Sequence, residues 1–120
     1  MKSLSLLDDL VFRDEDANAQ PLLVDSSARI LRFTLRPGQK IKKHSSPHSP
    51  LYIVVLQGKG IFSGGEGKGT EIGPNSLLVF DQAEPHSIEA LDMDLVFIAF
   101  LREFSDAIPP EKTGGLLGER

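Results

Sequence analysis

The chain has 120 residues, a formal net charge of −4 and no Cys. That length suits one domain with its own core, and the missing Cys excludes disulfides, thiolate metal ligands and a thiol nucleophile while fitting a reducing cytoplasm. The negative charge argues against general nucleic-acid binding, no apolar run approaches bilayer length, and Met1 to Asp9 reaches two acids too soon for a signal peptide, so the expectation is a cytoplasmic protein with no nucleic-acid or membrane partner.

In chain order, Leu4, Leu6, Leu7, Leu10, Val11 and Phe12 form a ragged apolar pattern that suits a short helical turn or an edge strand. Asp14 to Gln20 reads as a polar loop. Arg29 to Leu35 alternates, with Leu31, Phe33 and Leu35 on one face and Arg32 and Thr34 on the other. Pro37-Gly38 marks a turn. Leu51 to Leu56 is a strand that is apolar on both faces and ends at Gly58, and Gly60 to Ser63 follows closely enough to form a hairpin. Gly64 to Gly67 is a turn before Gly69 to Ile72, and Gly73-Pro74-Asn75 is a turn before the buried strand Ser76 to Phe80. His86 to Ala90 is a half-buried strand, Leu91-Asp92 a turn, and Leu95 to Leu101 the last strand. Many short strands between Gly/Pro turns predict an all-β antiparallel sandwich or barrel.

The last strand places Leu95, Phe97, Ala99 and Leu101 on one face and Val96, Ile98 and Phe100 on the other. Leaving either set in water forgoes about 1.5–3 kcal/mol per large side chain. A second subunit is the expected cover, which predicts a homodimer. The alternative cover is the tail, through Phe104, Ile108, Leu116 and Leu117. Charge is also uneven, since Arg29, Arg32, Arg36, Lys40, Lys42, Lys43, Lys59 and Lys68 are interrupted by Glu66 alone. The plain reading is solvated strand faces and salt links; the sharper one is a field drawing an anionic ligand toward one mouth of the fold.

Chemistry centres on the histidines. His44-Ser45-Ser46-Pro47-His48 follows the Pro37-Gly38 turn, and Asp81-Gln82-Ala83-Glu84-Pro85-His86-Ser87 precedes a strand. Together with Leu56-Gln57-Gly58-Lys59-Gly60, these pieces resemble a small single-domain cupin with a degenerate metal motif. The resemblance implies a cupin-type double-stranded β-helix, or jelly-roll barrel, with a core of about 28–101, an N-terminal arm 1–27 and a C-terminal tail 102–120. In that family one motif carries His-x-His and then a Glu. The second carries Pro-x-Gly, then His, then Asn. On those positions this chain matches the pattern at His44 and His86. Ser46 replaces the second His, Leu51 the Glu, Asp81 and Ala83 the Pro and Gly, and Ala90 the Asn.

His48 is the displaced candidate for a third ligand. It stands an even number of positions from His44, and Pro47 and Pro50 favour a looped segment there over a regular strand. The opposing reading is an exposed rim residue that binds nothing. The expectation is a divalent transition metal (Zn, Ni, Cu, Mn or Fe) held weakly or absent, since two His bind loosely. A complete His44, His48 and His86 set would hold Zn, Ni or Cu respectably but with no carboxylate to set charge. Asp81, Gln82 or Glu84 could supply an oxygen ligand, or simply be turn residues. The sequence therefore points first to a small-molecule binding or sensing barrel with a partial His metal site. A metal-dependent isomerase or oxygenase with a three-His site comes second, and a structural or regulatory dimer with a plain core third. No Gly-x-Ser-x-Gly elbow supports a hydrolase, and Gly64 to Thr70 lacks the strand-to-helix context of a phosphate loop.

Overall fold

The computed structural model describes residues 1–102, and those residues form nine strands and no helix. The strands are β1 Asn18–Val24, β2 Ala28–Leu35, β3 Lys40–His44, β4 Leu51–Gln57, β5 Gly60–Ser63, β6 Gly69–Ile72, β7 Ser76–Phe80, β8 His86–Ala90 and β9 Leu95–Arg102. They make a five-stranded sheet ordered β1-β2-β9-β4-β7 and a four-stranded sheet ordered β3-β8-β5-β6. Every pairing is antiparallel. The expected all-β class and the seven strands read from the sequence are present.

Two strands were not expected. Residues Asn18 to Gln20, read as loop, begin β1, which carries Pro21 at an irregularity in its register with β2. An edge position and a bulge are where a strand tolerates a residue without an N–H. β3 is short, polar and Lys-rich, with Ile41 as its buried anchor. Gly58, between β4 and β5, adopts a φ of +80° and packs so closely that a Cβ would collide with the carbonyl of Asp94. No other residue suits that turn.

The alternation in β2 sends Leu31, Phe33 and Leu35 inward, where they meet the inward set of β9. Phe97 pairs with Phe33 in the ladder and stacks on it, with ring centroids 4.9 Å apart and an interplanar angle of 6°. Phe62, from the opposite sheet, meets Phe97 edge-on at 5.8 Å. These rings fill the interior so well that the void beside Phe33, Ile41, Leu51, Phe97 and His86 measures only about 10 Å³. That is room for one water molecule.

Most of the outward face of β9 is also out of water, but not as the sequence suggested, while Phe100 is half-buried beside a groove along the N-terminal residues. Val96 and Ile98 are 0% and 2% exposed within a single chain. Residues 1–17 form neither helix nor strand, only bends and turns, and they cross this face as an arm. Arg32, opposite Ile98 in the ladder, donates hydrogen bonds to the backbone carbonyls of Leu6, Asp8 and Asp9 at 2.9–3.2 Å, and to Gln20. Thr34, opposite Val96, donates to the Val11 carbonyl, and Gln39 donates to that of Arg13. Arg36 lies 4.4 Å over the Phe12 ring. The arm therefore supplies cover that the sequence reading assigned to a second subunit. Within the strands, the exposed large apolar residues are Leu77 (66%) and Val79 (56%) on edge strand β7, while Leu4, Leu7 and Val11 are exposed on the arm itself. The tail residues named as alternative cover lie outside the described residues.

Truncating the central ring tests this packing. Phe97→Ala is expected to cost about 3–5 kcal/mol in urea unfolding. Leu77→Ala, on the exposed edge, should stay within about 0.5 kcal/mol of the parent. Equal costs at the two positions would contradict a core organised on Phe97.

Candidate functional site

β3 and β8 pair with Ile41 opposite Ile88 and His44 opposite His86. One residue separates the partners on β8, but two separate them on β3, so β3 carries a bulge between Ile41 and His44. Without that extra residue, His44 would point away from the buried face that Ile41 occupies. With it, His44 returns to face His86. The two rings stand perpendicular, at 89°, with centroids 5.8 Å apart. Phe80 lies 5.3 Å from the His86 ring on another side.

His86 is buried, only 3% exposed, whereas His44 is half-buried. His86 Nδ1 lies 3.2 Å from the carbonyl oxygen of Glu84. A carbonyl can only accept, so Nδ1 carries the proton and Nε2 keeps its lone pair. Burial pushes the His86 imidazole below its ordinary value. The Glu84 carbonyl opposes that shift, the neighbouring His44 adds to it, and the Glu84 charge opposes it again. Burial alone lowers His44. The pair is therefore biased toward two neutral imidazoles.

The remaining family positions do not complete a ligand set. Leu51, where the family has Glu, is core, packed between Phe80 and Leu101 in the sheet. Ser46, at the second His position, is buried, and its hydroxyl has no hydrogen-bond partner among the described residues. His48 sits exposed in a turn. After His44 the chain leaves the strand, and the buried Ser46 and Ser49 take the inward places. Ser49 is pinned, donating to the Pro50 carbonyl at 2.6 Å and accepting from the Arg102 N–H at 2.9 Å. The even spacing of His44 and His48 thus counts for nothing once strand geometry ends. Among the described residues, no group of three or more His, Asp or Glu is placed to hold a metal ion.

The candidate oxygen ligands before His86 have other work. Glu84 accepts the N–H of Asp81 through one carboxylate oxygen and that of Gly65 through the other, both at 2.8 Å. Those two bonds hold its carboxyl below the usual range, first through Gly65. Gln82 donates to the Pro47 carbonyl at 2.9 Å. Ala83 has a φ of +67° and donates its N–H to the Ser46 carbonyl at 3.0 Å. The loop thus keeps a left-handed residue where the family has Gly. Asp81, where the family has Pro, provides an N–H that Pro could not. Glu84 is the compensation, tying the loop before β8 to the Gly64–Gly67 turn.

Sequence reasoning missed one feature. Ser63 and Ser87 lie opposite each other in the β5–β8 ladder and share a crevice of about 120 Å³ with Lys43, Gly64 and Gly67, beside His86. Only the register brings these residues together, and no local motif announces it. Part of the basic run is engaged elsewhere. Arg32 binds the arm, Arg36 reaches Asp94 at 3.5 Å, and Lys59 reaches Glu71 at 3.9 Å.

A family model described as the cupin domain matches residues 31–99, more than half of the chain. Among solved structures, an RmlC-like cupin protein from Desulfovibrio desulfuricans is 28% identical with a TM-score of 0.78, covering 85% of this chain and 96% of its own. An uncharacterised double-stranded β-helix protein from Klebsiella pneumoniae is 16% identical with a TM-score of 0.81, covering 90% and 94%. A protein from Thermus thermophilus is 17% identical with a TM-score of 0.80, covering 86% and 98%. No curated protein matches. The expected double-stranded β-helix is therefore the observed fold.

Two outcomes follow from this geometry. Ala83→Gly should raise stability by about 0.5–1 kcal/mol in urea unfolding, because a left-handed Ala is strained by about 1–2 kcal/mol and the added Gly entropy offsets part of the gain. A loss of stability would contradict a strained loop. Separately, below about pH 6.5 the unfolded chain binds a proton at His86 that the folded chain resists. The contribution is fully present above that pH and is lost as pH falls toward the lowered folded-state value. Urea midpoints measured from pH 7.5 to 5 should therefore fall more steeply for the parent than for His86→Gln. Parallel curves would count against the neutral, buried imidazole.

Proposed function

This chain belongs to the cupin domain family, and from that premise we propose that it binds or senses a small polar molecule at the His44–His86 rim, without a tightly held catalytic metal. The facing pair of imidazoles carries the reading, because it sets the Nε2 lone pair of His86, whose Nδ1–H is engaged by the Glu84 carbonyl, beside the half-buried ring of His44. The donor set itself argues against a resident catalytic ion. A Leu stands at the carboxylate position and a Ser at the second His position, so two imidazoles remain to hold a divalent ion loosely. No chemical step is assigned to such an ion.

Size restricts where a ligand can lie. Pockets for small molecules usually measure about 300–1,000 Å³, against about 10 Å³ inside the barrel. The ligand therefore rests across the rim, on half-buried His44, rather than within the core. Lys43 beside the rim favours a carboxylate or a sugar acid, and Glu84 opposes it little because backbone N–H groups engage both of its oxygens. A three-His metalloenzyme would need exposed His48 to leave its turn. The Cys-free sequence supports a cytoplasmic location, and no helix among the described residues is long and apolar enough to cross a membrane. A homodimer, where it forms, would use Leu77 and Val79 on the β7 edge.

Thermal-shift titration with a panel of small carboxylates and sugar acids, alongside zinc and nickel, tests this reading. A carboxylate should raise the melting temperature of the parent and of His48→Ala, but not of His44→Ala or His86→Ala. Strong metal protection that vanishes in His48→Ala would replace this proposal with the three-His enzyme.

A further inference from the structure

The two sheets end in four edge strands, β1 and β7 in one and β3 and β6 in the other. An open edge displays unpaired N–H and C=O groups that invite another strand, and such edges are blunted by Pro, charge, bulges or short length. Three of the four are blunted in this way. β1 carries Pro21 at a break in its register with β2. β3 presents Lys40, Lys42 and Lys43 and is bulged against β8. β6 is only 4 residues long and includes Glu71. β7 has none of these defences. Ser76 to Phe80 contains no Pro and no charge, keeps an unbroken register with β4, and leaves Leu77 and Val79 exposed. Among the described residues no strand pairs with its outer edge. We propose that β7 pairs with β7 of a second copy, antiparallel about a twofold axis at Leu78, joining two five-stranded sheets into one continuous sheet.

The strand is complementary to itself in that register. A twofold at Leu78 sets Leu77 of each copy opposite Val79 of the other, giving two apolar cross-strand pairs with Cβ atoms about 4.5–5.5 Å apart. Beyond the strand, Asp81 falls opposite Asn75, so no like charges meet across the axis. Gln82 falls opposite Pro74, which has no N–H to extend the ladder. On the outer face, Leu77 continues the row of Val54 and Ile98, and Val79 that of Tyr52 and Phe100. Pairing carries both rows across the axis. The blunted edges then set the size of the assembly. With one adhesive edge per chain, strand addition closes at two copies instead of running on as a fibre. This gives the homodimer named above a geometry, and it does not rest on ligand binding at the histidines.

Sedimentation of the full chain over a wide micromolar range tests the assembly, and amide hydrogen exchange tests the strand pairing. The expected result is a monomer–dimer equilibrium in which the β7 amides facing away from β4 exchange several-fold more slowly in the dimer. Val79→Lys should weaken the dimer by at least an order of magnitude and restore fast exchange, with the circular dichroism spectrum unchanged. Met93→Lys, at an exposed apolar residue outside the strands, should do neither. A chain that stays monomeric throughout overturns the proposal, as do open-ended larger species. So does a dimer indifferent to Val79→Lys, or one dissociated equally by Met93→Lys. A dimer whose β7 amides remain in fast exchange overturns strand pairing in favour of contact between sheet faces. Ligand response at His44 and His86 is measured separately, so either proposal can fail alone.

Discussion

Phe97 lies opposite Phe33 in the β2–β9 ladder and stacks on it, while Phe62 closes on its edge from the other sheet. Three aromatic rings meet between the sheets, and the void beside Phe33, Phe97 and His86 measures only about 10 Å³. This packing is what makes the two sheets one body. It also limits function, because a filled interior cannot double as a ligand chamber. The histidines of β3 and β8 face each other beside this packed interior.

The rim shows how an altered motif can keep its architecture. The bulge in β3 restores His44 to the face of His86. In the loop before β8, Ala83 occupies the left-handed position and Glu84 caps two backbone N–H groups, so the frame survives the replacement of Pro and Gly. Ser46 and Leu51 received no comparable replacement ligand.

On the opposite side, the arm and the five-stranded sheet are held together by Arg32. Its guanidinium is buried and directed at main-chain carbonyls, which the irregular arm cannot satisfy within itself. Arg32, together with Thr34 and Gln39, thus substitutes for the hydrogen-bonded ladder that a strand would have provided. The same contact explains why Val96 and Ile98 are dry in a single chain, and why the groove beside Phe100 has a second wall.

The sequence alone determined the seven strands with clear alternation or Gly/Pro boundaries, the inward sets of β2 and β9, and the resemblance to the cupin frame around His44 and His86. These features are local, written in the period of apolar residues and in turn chemistry. β1 escaped because Pro21 and a polar start disguise a strand that exists through pairing with β2, and β3 because one buried Ile among lysines is a faint signal. Tertiary structure alone decided the rest. Which residue covers the outer face of β9 depended on a distant part of the chain, the arm at Leu6 to Asp9, meeting Arg32. Whether His48 could join His44 depended on where the strand ended, and the pairing of Ser63 with Ser87 on register. The arm contact and the serine pairing join segments distant in sequence, and the end of β3 is set by its pairing with β8, so local periodicity carries no information about any of them.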